Sequence, residues 1–308
     1  MFRQVLRRLY RSSWVLPGTV SLFSFGCQRG PEVRFADPSQ LLARIEQGTA
    51  CSRGVVGDAH IEVAGPFAHY KGKLMYKAEA PNHLRFDLYS DFGVTLAAVA
   101  SNESELSFFD LKSGTVEKGP PNSCSLARFT QVQVPPFALI ELLRGRAPVL
   151  SHHPDDAKIR FSNSWFSGGH YVISIVGDQR SEETIWVEIP ESDWLLPLEQ
   201  QRTRLKRVVV RQAGSLSYAV DLSDYRPATR ASLEPSLEER EMGLASYQPS
   251  GPICNAELPH TLTFDVGHGG HELIIRAQEL KHNPPHFPDS FALVVPSGTR
   301  SLQNSCPR

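Results

Sequence analysis

The 308-residue chain carries almost no net charge: 32 Lys and Arg stand against 33 Asp and Glu, a balance of −1. A nucleic-acid partner demands a basic face, which this balance does not supply. No apolar run reaches the roughly 20 residues that a membrane-spanning helix needs. G-x-S-x-G, the P-loop, H-E-x-x-H and G-x-G-x-x-G are all missing, and with them the usual marks of nucleophilic hydrolases, nucleotide binding and zinc peptidases. There is no C-x-x-C, and the five cysteines lie too far apart for the paired short spacing of a zinc site. The chain is therefore read as a non-enzyme, with no metal and no cofactor.

What is present starts at the N-terminus. Arg3, Arg7, Arg8 and Arg11 form a basic region, followed by an uncharged, largely apolar stretch from Trp14 to Gly26. That order marks an export leader. It ends Ser24-Phe25-Gly26-Cys27, which looks like the lipobox of bacterial lipoproteins, where a small residue precedes a Cys that is acylated before cleavage. Ser24 departs from the Leu, Val or Ile preferred there, so an ordinary signal peptide or an uncleaved anchor remain the alternatives. Cleavage before Cys27 removes 26 residues and four Arg but no acid, leaving 282 residues and moving the charge from −1 to −5. Cys51, Cys124, Cys254 and Cys306 then remain, an even number that in an oxidising compartment points to disulfides. Three pairings are possible. Cys51 with Cys124 and Cys254 with Cys306 would each staple one half of the molecule.

Residues 27–36 read as a tether, and 37–308 as one domain. Asp37-Pro38-Ser39-Gln40 predicts a helix start, with an acidic N-cap and Pro at the first helical position. From Asp58 the apolar period changes to two. Leu84, Phe86 and Leu88 alternate with Arg85, Asp87 and Tyr89, so one face of that strand is apolar and the other meets water. Two short helices, Ser125 to Thr130 and Phe137 to Arg144, interrupt the strands around Val134-Pro135-Pro136. Residues 227–257, rich in Pro and Glu, read as an inserted surface loop, partly helical at Glu238 to Leu244. The expected class is mainly β (α+β). A strongly curved antiparallel sheet forms a half-open barrel of about eleven strands, with a lid of short helices.

Several of these pieces together resemble the LolA/LolB-like family of bacterial envelope proteins, in particular its lipid-anchored LolB-like branch. They are Cys27, the helix holding Leu41-Leu42-Ala43-Arg44-Ile45, the turn Tyr89-Ser90-Asp91-Phe92-Gly93, the helices around Val134-Pro135-Pro136-Phe137 up to Leu143-Arg144-Gly145-Arg146, and the run Asn283 to Leu293. The resemblance implies a half-open barrel with a helical lid and an apolar cavity for acyl chains. It further implies an outer-membrane protein facing the periplasm that receives lipoproteins from a soluble carrier. Its membrane-insertion loop would be Asp91-Phe92-Gly93, with Phe92 at the tip. Gln28 after Cys27 carries no Asp-type retention signal, which also favours the outer membrane.

The residues themselves supply a candidate ligand cavity: Phe86, Leu88, Leu96, Phe108, Ile173, Ile175 and Trp186 would share one concave surface if the strands curl. The expected partners are a lipid acyl chain or lipoprotein, the membrane through the anchor, and a periplasmic carrier or other envelope protein. The alternative is a non-catalytic sensing or assembly module that binds a protein partner on the same fold. His268-Gly269-Gly270-His271 reads as a hairpin turn rather than a metal site. No third ligand can be assigned to His152-His153.

Overall fold

Local chemistry sets the first helix. In the structure, a computed structural model describing residues 30–64, 69–164, 168–230, 241, 249–265, 272–285 and 289–307, Asp37 caps α1 (Pro38–Gly48) by accepting from the Ser39 N–H at 2.8 Å. The leader, Cys27, the His268–His271 turn and, apart from Glu241, the helical piece expected at 238–244 lie outside the described residues. Asn122 caps α2 (Ser123–Thr130) in the same way, accepting from the Ser125 N–H at 3.0 Å. Pro135-Pro136 opens α3 (Pro136–Leu143), where a missing N–H costs nothing.

The described residues contain fifteen strands: β1 (Gly54–Ala64), β2 (His69–Glu79), β3 (His83–Tyr89), β4 (Thr95–Ser101), β5 (Leu106–Asp110), β6 (Thr115–Gly119), β7 (Ala157–Ser164), β8 (Gly168–Val176), β9 (Ser181–Glu188), β10 (Arg204–Gln212), β11 (Ser215–Pro227), β12 (Thr229–Arg230), β13 (Glu257–Asp265), β14 (Glu272–His282) and β15 (Arg300–Gln303). They form one sheet in the order β15-β6-β5-β4-β3-β2-β1-β14-β13-β11-β10-β9-β8-β7, with β12 beside β14. Neighbours are antiparallel except β15 on β6 and β12 on β14, which are parallel. The sheet exceeds the expected eleven or so strands because short β6, β12 and β15 pair through the backbone with little apolar alternation to betray them.

Leu74, Phe86 and Val99 from one half of this order share a single apolar core with Ile173, Val187 and Val208 from the other half. Leu41 and Ile45 of α1, Leu126 of α2 and Leu139, Ile140 and Leu143 of α3 complete it. One core can join strands so far apart in order only if the sheet wraps around the helices. The half-open barrel with a helical lid is thus the architecture found, and its two ends, β15 and β7, do not meet.

The described part of the segment read as a tether is held against the sheet. Phe35 is buried and donates its N–H to Tyr171 Oη at 3.2 Å, Glu32 donates to Trp194 O at 3.0 Å, and the Arg34 guanidinium lies 4.1 Å from the Phe161 ring centre. At the other end, the chain leaves β14 and crosses the outer face of β2 and β3. Lys77 Nζ donates there to Pro285 O at 2.8 Å and Arg85 Nη1 to Ala292 O at 2.7 Å. This strap reaches Gly114, runs down β6 as β15, and is fixed by a disulfide between Cys124 and Cys306. The other disulfide joins Cys51 to Cys254. The pairing that would have stapled each half separately does not occur, because the C-terminal strap returns to α2 and the segment before β13 returns to the α1–β1 connection.

Candidate functional site

The lid helices do not cover all of their own apolar surface. α3 reads Pro-Phe-Ala-Leu-Ile-Glu-Leu-Leu, apolar on almost every side, and a helix with that composition cannot hide every face against one core. Ala138, Leu139, Ile140, Leu142 and Leu143 are buried, whereas Phe137 is left 46 % exposed. Phe137 lies in a groove of about 790 Å³ between α1, α3 and the 146–157 segment. Leu42, Ala43 and Ile45 of α1 supply one apolar wall, and Ala147, Pro148, Val149 and Ala157 another. Glu46, Glu141, Arg146, His152 and Asp155 make the rim polar.

Arg146 ties the two helices across this groove, donating to Glu46 Oε1 at 2.9 Å and pairing with Glu141 Oε2 at 3.0 Å. Beneath it, Arg144 is buried; its Nε donates to Ser52 O at 2.8 Å, so the end of α3 is pinned to the α1–β1 connection. His282 joins the same cluster. Its Nδ1 lies 2.9 Å from Ser52 Oγ and its Nε2 lies 2.9 Å from Ala256 O, so Nε2 donates and Nδ1 accepts. Burial and the neighbouring Arg144 cation lower the pKa of this ring, and it is held neutral.

The wall formed by 146–157 is latched from below. The Leu150 N–H donates to Glu183 Oε2 at 2.9 Å, while Glu183 Oε1 has no hydrogen-bond partner among the described residues. Burial pushes this carboxyl up to about 8. A strand position that faces the core therefore carries a carboxylic acid that is mostly protonated at neutral pH.

The seven residues proposed from sequence to share one cavity do not share one in this structure. Phe86, Ile173 and Ile175 are buried in the core, with Leu88 and Phe108 packed against it. Phe129 of α2 fills the space between Phe86 and Phe108, with ring centres 6.2 and 5.5 Å away. Leu96 is half-buried and outside the core. Trp186 faces away from Ile185 and Val187, onto a recess of about 170 Å³ with His170 and Lys206. The reasons differ: on the concave face the helices sink in and occupy the space, as Phe129 does between Phe86 and Phe108, whereas strand alternation turns Trp186 to the opposite face and Leu96 lies outside the core.

Phe92 is 95 % exposed. Its turn is closed by Gly93 N–H to Ser90 O at 3.0 Å and Ser90 N–H to Val94 O at 2.9 Å, with Gly93 at φ 78°, and Asp91 sits beside the tip. His152 sits on the groove rim with Nδ1 2.7 Å from Leu150 O. No group of three or more His, Cys, Asp and Glu placed to hold a metal ion occurs among the described residues. No helix among them is long and apolar enough to cross a membrane. Phe137 and Arg146 entered the sequence reading only as part of a helix boundary or of the family resemblance, and neither they nor Val149 were among the expected cavity residues; the available signal was a helix apolar on too many sides, followed by the apolar loop Ala147-Pro148-Val149.

The chain superposes on the crystal structure of a DUF1329 family protein from Desulfovibrio piger with a TM-score of 0.53 at 8 % identity, covering 84 % of this chain and 98 % of that one. The two share a fold. The DUF1329-like fold shown by this match is a likeness of backbone and carries no function with it. A LolA superfamily protein from Nitrosomonas europaea matches with a TM-score of 0.47 at 12 % identity, covering 84 % of this chain and 99 % of that one. An outer membrane lipoprotein-sorting protein domain from Vibrio parahaemolyticus gives 0.47 at 10 % identity, covering 82 % and 95 %. No protein-family profile and no curated protein matches the sequence.

Proposed function

We propose that this protein is a non-enzymatic envelope lipoprotein that binds an acyl chain or the lipidated end of another protein in the groove between α1 and α3. The groove carries the reading. Its volume of about 790 Å³ falls within the roughly 300–1,000 Å³ of ligand pockets, and its apolar walls under a charged rim suit a molecule with an apolar tail and a polar head. Burying a tail there contributes about 0.8 kcal/mol per methylene. Deeper insertion, against Phe86, Leu88 and Phe108, requires α2 to withdraw Phe129. Two disulfides fit an oxidising compartment, and with the leader they support a periplasm-facing location. Acylation of Cys27 would hold the domain at the outer membrane, where the exposed Phe92 turn contacts the bilayer during transfer of cargo.

Native mass spectrometry of the protein released from its own membrane tests both parts, reporting the mass at Cys27 and any bound lipid. Displacement of a fluorescent fatty acid tests the groove separately: wild type binds, and Phe137→Asp binds at least tenfold more weakly. A wild-type protein that takes up no acyl probe would overturn the reading.

A further inference from the structure

The two ends of the sheet are treated differently. At one end β6 is covered: β15 pairs with it in parallel, and the Cys124–Cys306 disulfide fixes the covering strand. At the other end β7, eight residues long, bonds to β8 alone. No backbone hydrogen bond reaches β7 from any other described segment. A strand of this length with a free edge is a ready template for another extended chain, which is why most proteins cover or blunt such edges. β7 also begins at the proposed binding groove, since Ala157, its first residue, lines it.

The free edge carries a charge signature. Ile159 and Phe161 pack inward on the core, which places Lys158 and Arg160 on the outer face, where both are exposed and neither makes an ion pair among the described residues. Cross-strand neighbours of opposite charge stabilise a ladder, and like charges oppose it. An added strand that suits this edge therefore presents carboxylates opposite Lys158 and Arg160.

From these observations we infer that the β7 edge is a β-augmentation site for an extended, acidic segment of a lipidated polypeptide, which adds a strand to the sheet while its acyl chain lies in the adjoining groove. This rests on the groove reading above and gives it a substrate class: a lipidated protein rather than a free lipid. Backbone hydrogen bonds along the edge would supply affinity with little dependence on sequence, and the two cations would bias it toward acidic linkers.

The test uses the full chain and five probes: palmitate, an N-palmitoyl decapeptide alternating Glu and Val, that lipopeptide N-methylated at alternate residues in each of the two phases, and the decapeptide without its acyl chain. The acylated probes are measured by displacement of a fluorescent fatty acid, and palmitate and the non-acylated decapeptide also by titration calorimetry. The expected result is that the lipopeptide binds at least about tenfold tighter than palmitate and that one N-methylated phase falls back to the palmitate level. Lys158→Pro and Ile159→Pro provide a check on the protein side. Successive N–H groups of a strand point to opposite edges, so one variant breaks a bond to β8 and the other removes an outward N–H; because each also loses its side chain, Lys158→Ala and Ile159→Ala serve as their references. The proline variant that keeps the Tm of its alanine reference should bind palmitate as that reference does and lose the remaining gain from the peptide. A lipopeptide no tighter than palmitate, or N-methylation without effect in both phases, would overturn the edge site and leave the groove reading standing. Tight binding of the non-acylated peptide together with no binding of palmitate would overturn the groove reading and leave the edge.

Discussion

Glu183 and His282 are both buried ionisable groups on a sheet whose core is mainly apolar, and they pull the pH dependence of stability in opposite directions. The carboxyl of Glu183 is raised to about 8 by burial, so the folded state holds a proton that the unfolded state releases near its ordinary value of 4.5. Its contribution is full below that value and is lost as pH rises toward 8. Glu183→Gln should therefore flatten the fall in stability between pH 5 and pH 8, by roughly 3 to 4 kcal/mol given about 1.4 kcal/mol per pKa unit. Thermal melts at both pH values check this; an equal Tm change at both would refute it. His282 behaves in the opposite sense. Its pKa is lowered by burial, so the unfolded state takes up a proton first as pH falls below about 6.5, and stability is lost on the acid side. His282→Gln, which can still donate to Ala256 O, should lower Tm at pH 7 by losing its fit to Ser52 Oγ, yet reduce the further loss between pH 7 and pH 5. Unfolding in urea at these two pH values measures both changes.

At the scale of elements, the lid decides what the groove can hold. Arg146 pairs with both α1 and α3, and its partners Glu46 and Glu141 are partly exposed, so Arg146→Ala should cost no more than about 1 kcal/mol of stability. The same change releases the two helices from one another at the groove rim. Faster dissociation of a bound fatty acid, with Tm nearly unchanged, is the expected result, and stopped-flow displacement measures it. These elements also show what could be read in advance. α1 was legible because Asp37 and Pro38 state a helix start in local chemistry, and β3 because Leu84, Phe86 and Leu88 alternate with polar neighbours. The groove was not legible. An apolar residue on a strand announces that it faces inward, but whether a helix or a ligand meets it there depends on how deeply the helices settle, and Phe129 between Phe86 and Phe108 is such a tertiary outcome. β15 was invisible for a different reason: Arg-Ser-Leu-Gln pairs through its backbone and leaves all four side chains exposed.

At the scale of the whole molecule, the two disulfides close long loops, with sequence separations of 203 and 182 residues. Cross-linking a loop of this length contributes about 5 kcal/mol in the chain-entropy account. The Cys124–Cys306 bond does more than restrict the unfolded chain, because it holds β15 on β6 with few side-chain contacts to help. Replacing both partners, as Cys124→Ser with Cys306→Ser, should lower Tm and free the end of the strap while Lys77 and Arg85 still hold its start on β2 and β3. β6 would then present an open edge, and the expected consequence is association through it. Light scattering during a thermal ramp should show an onset that falls as protein concentration rises, together with faster amide exchange along Thr115–Gly119. Replacing Cys51 and Cys254 instead should lower Tm without exposing β6, since that bond lies between the α1–β1 connection and the segment before β13. If both double variants aggregate alike, loss of stability alone is responsible, and the strap has no separate part in protecting the β6 edge from association.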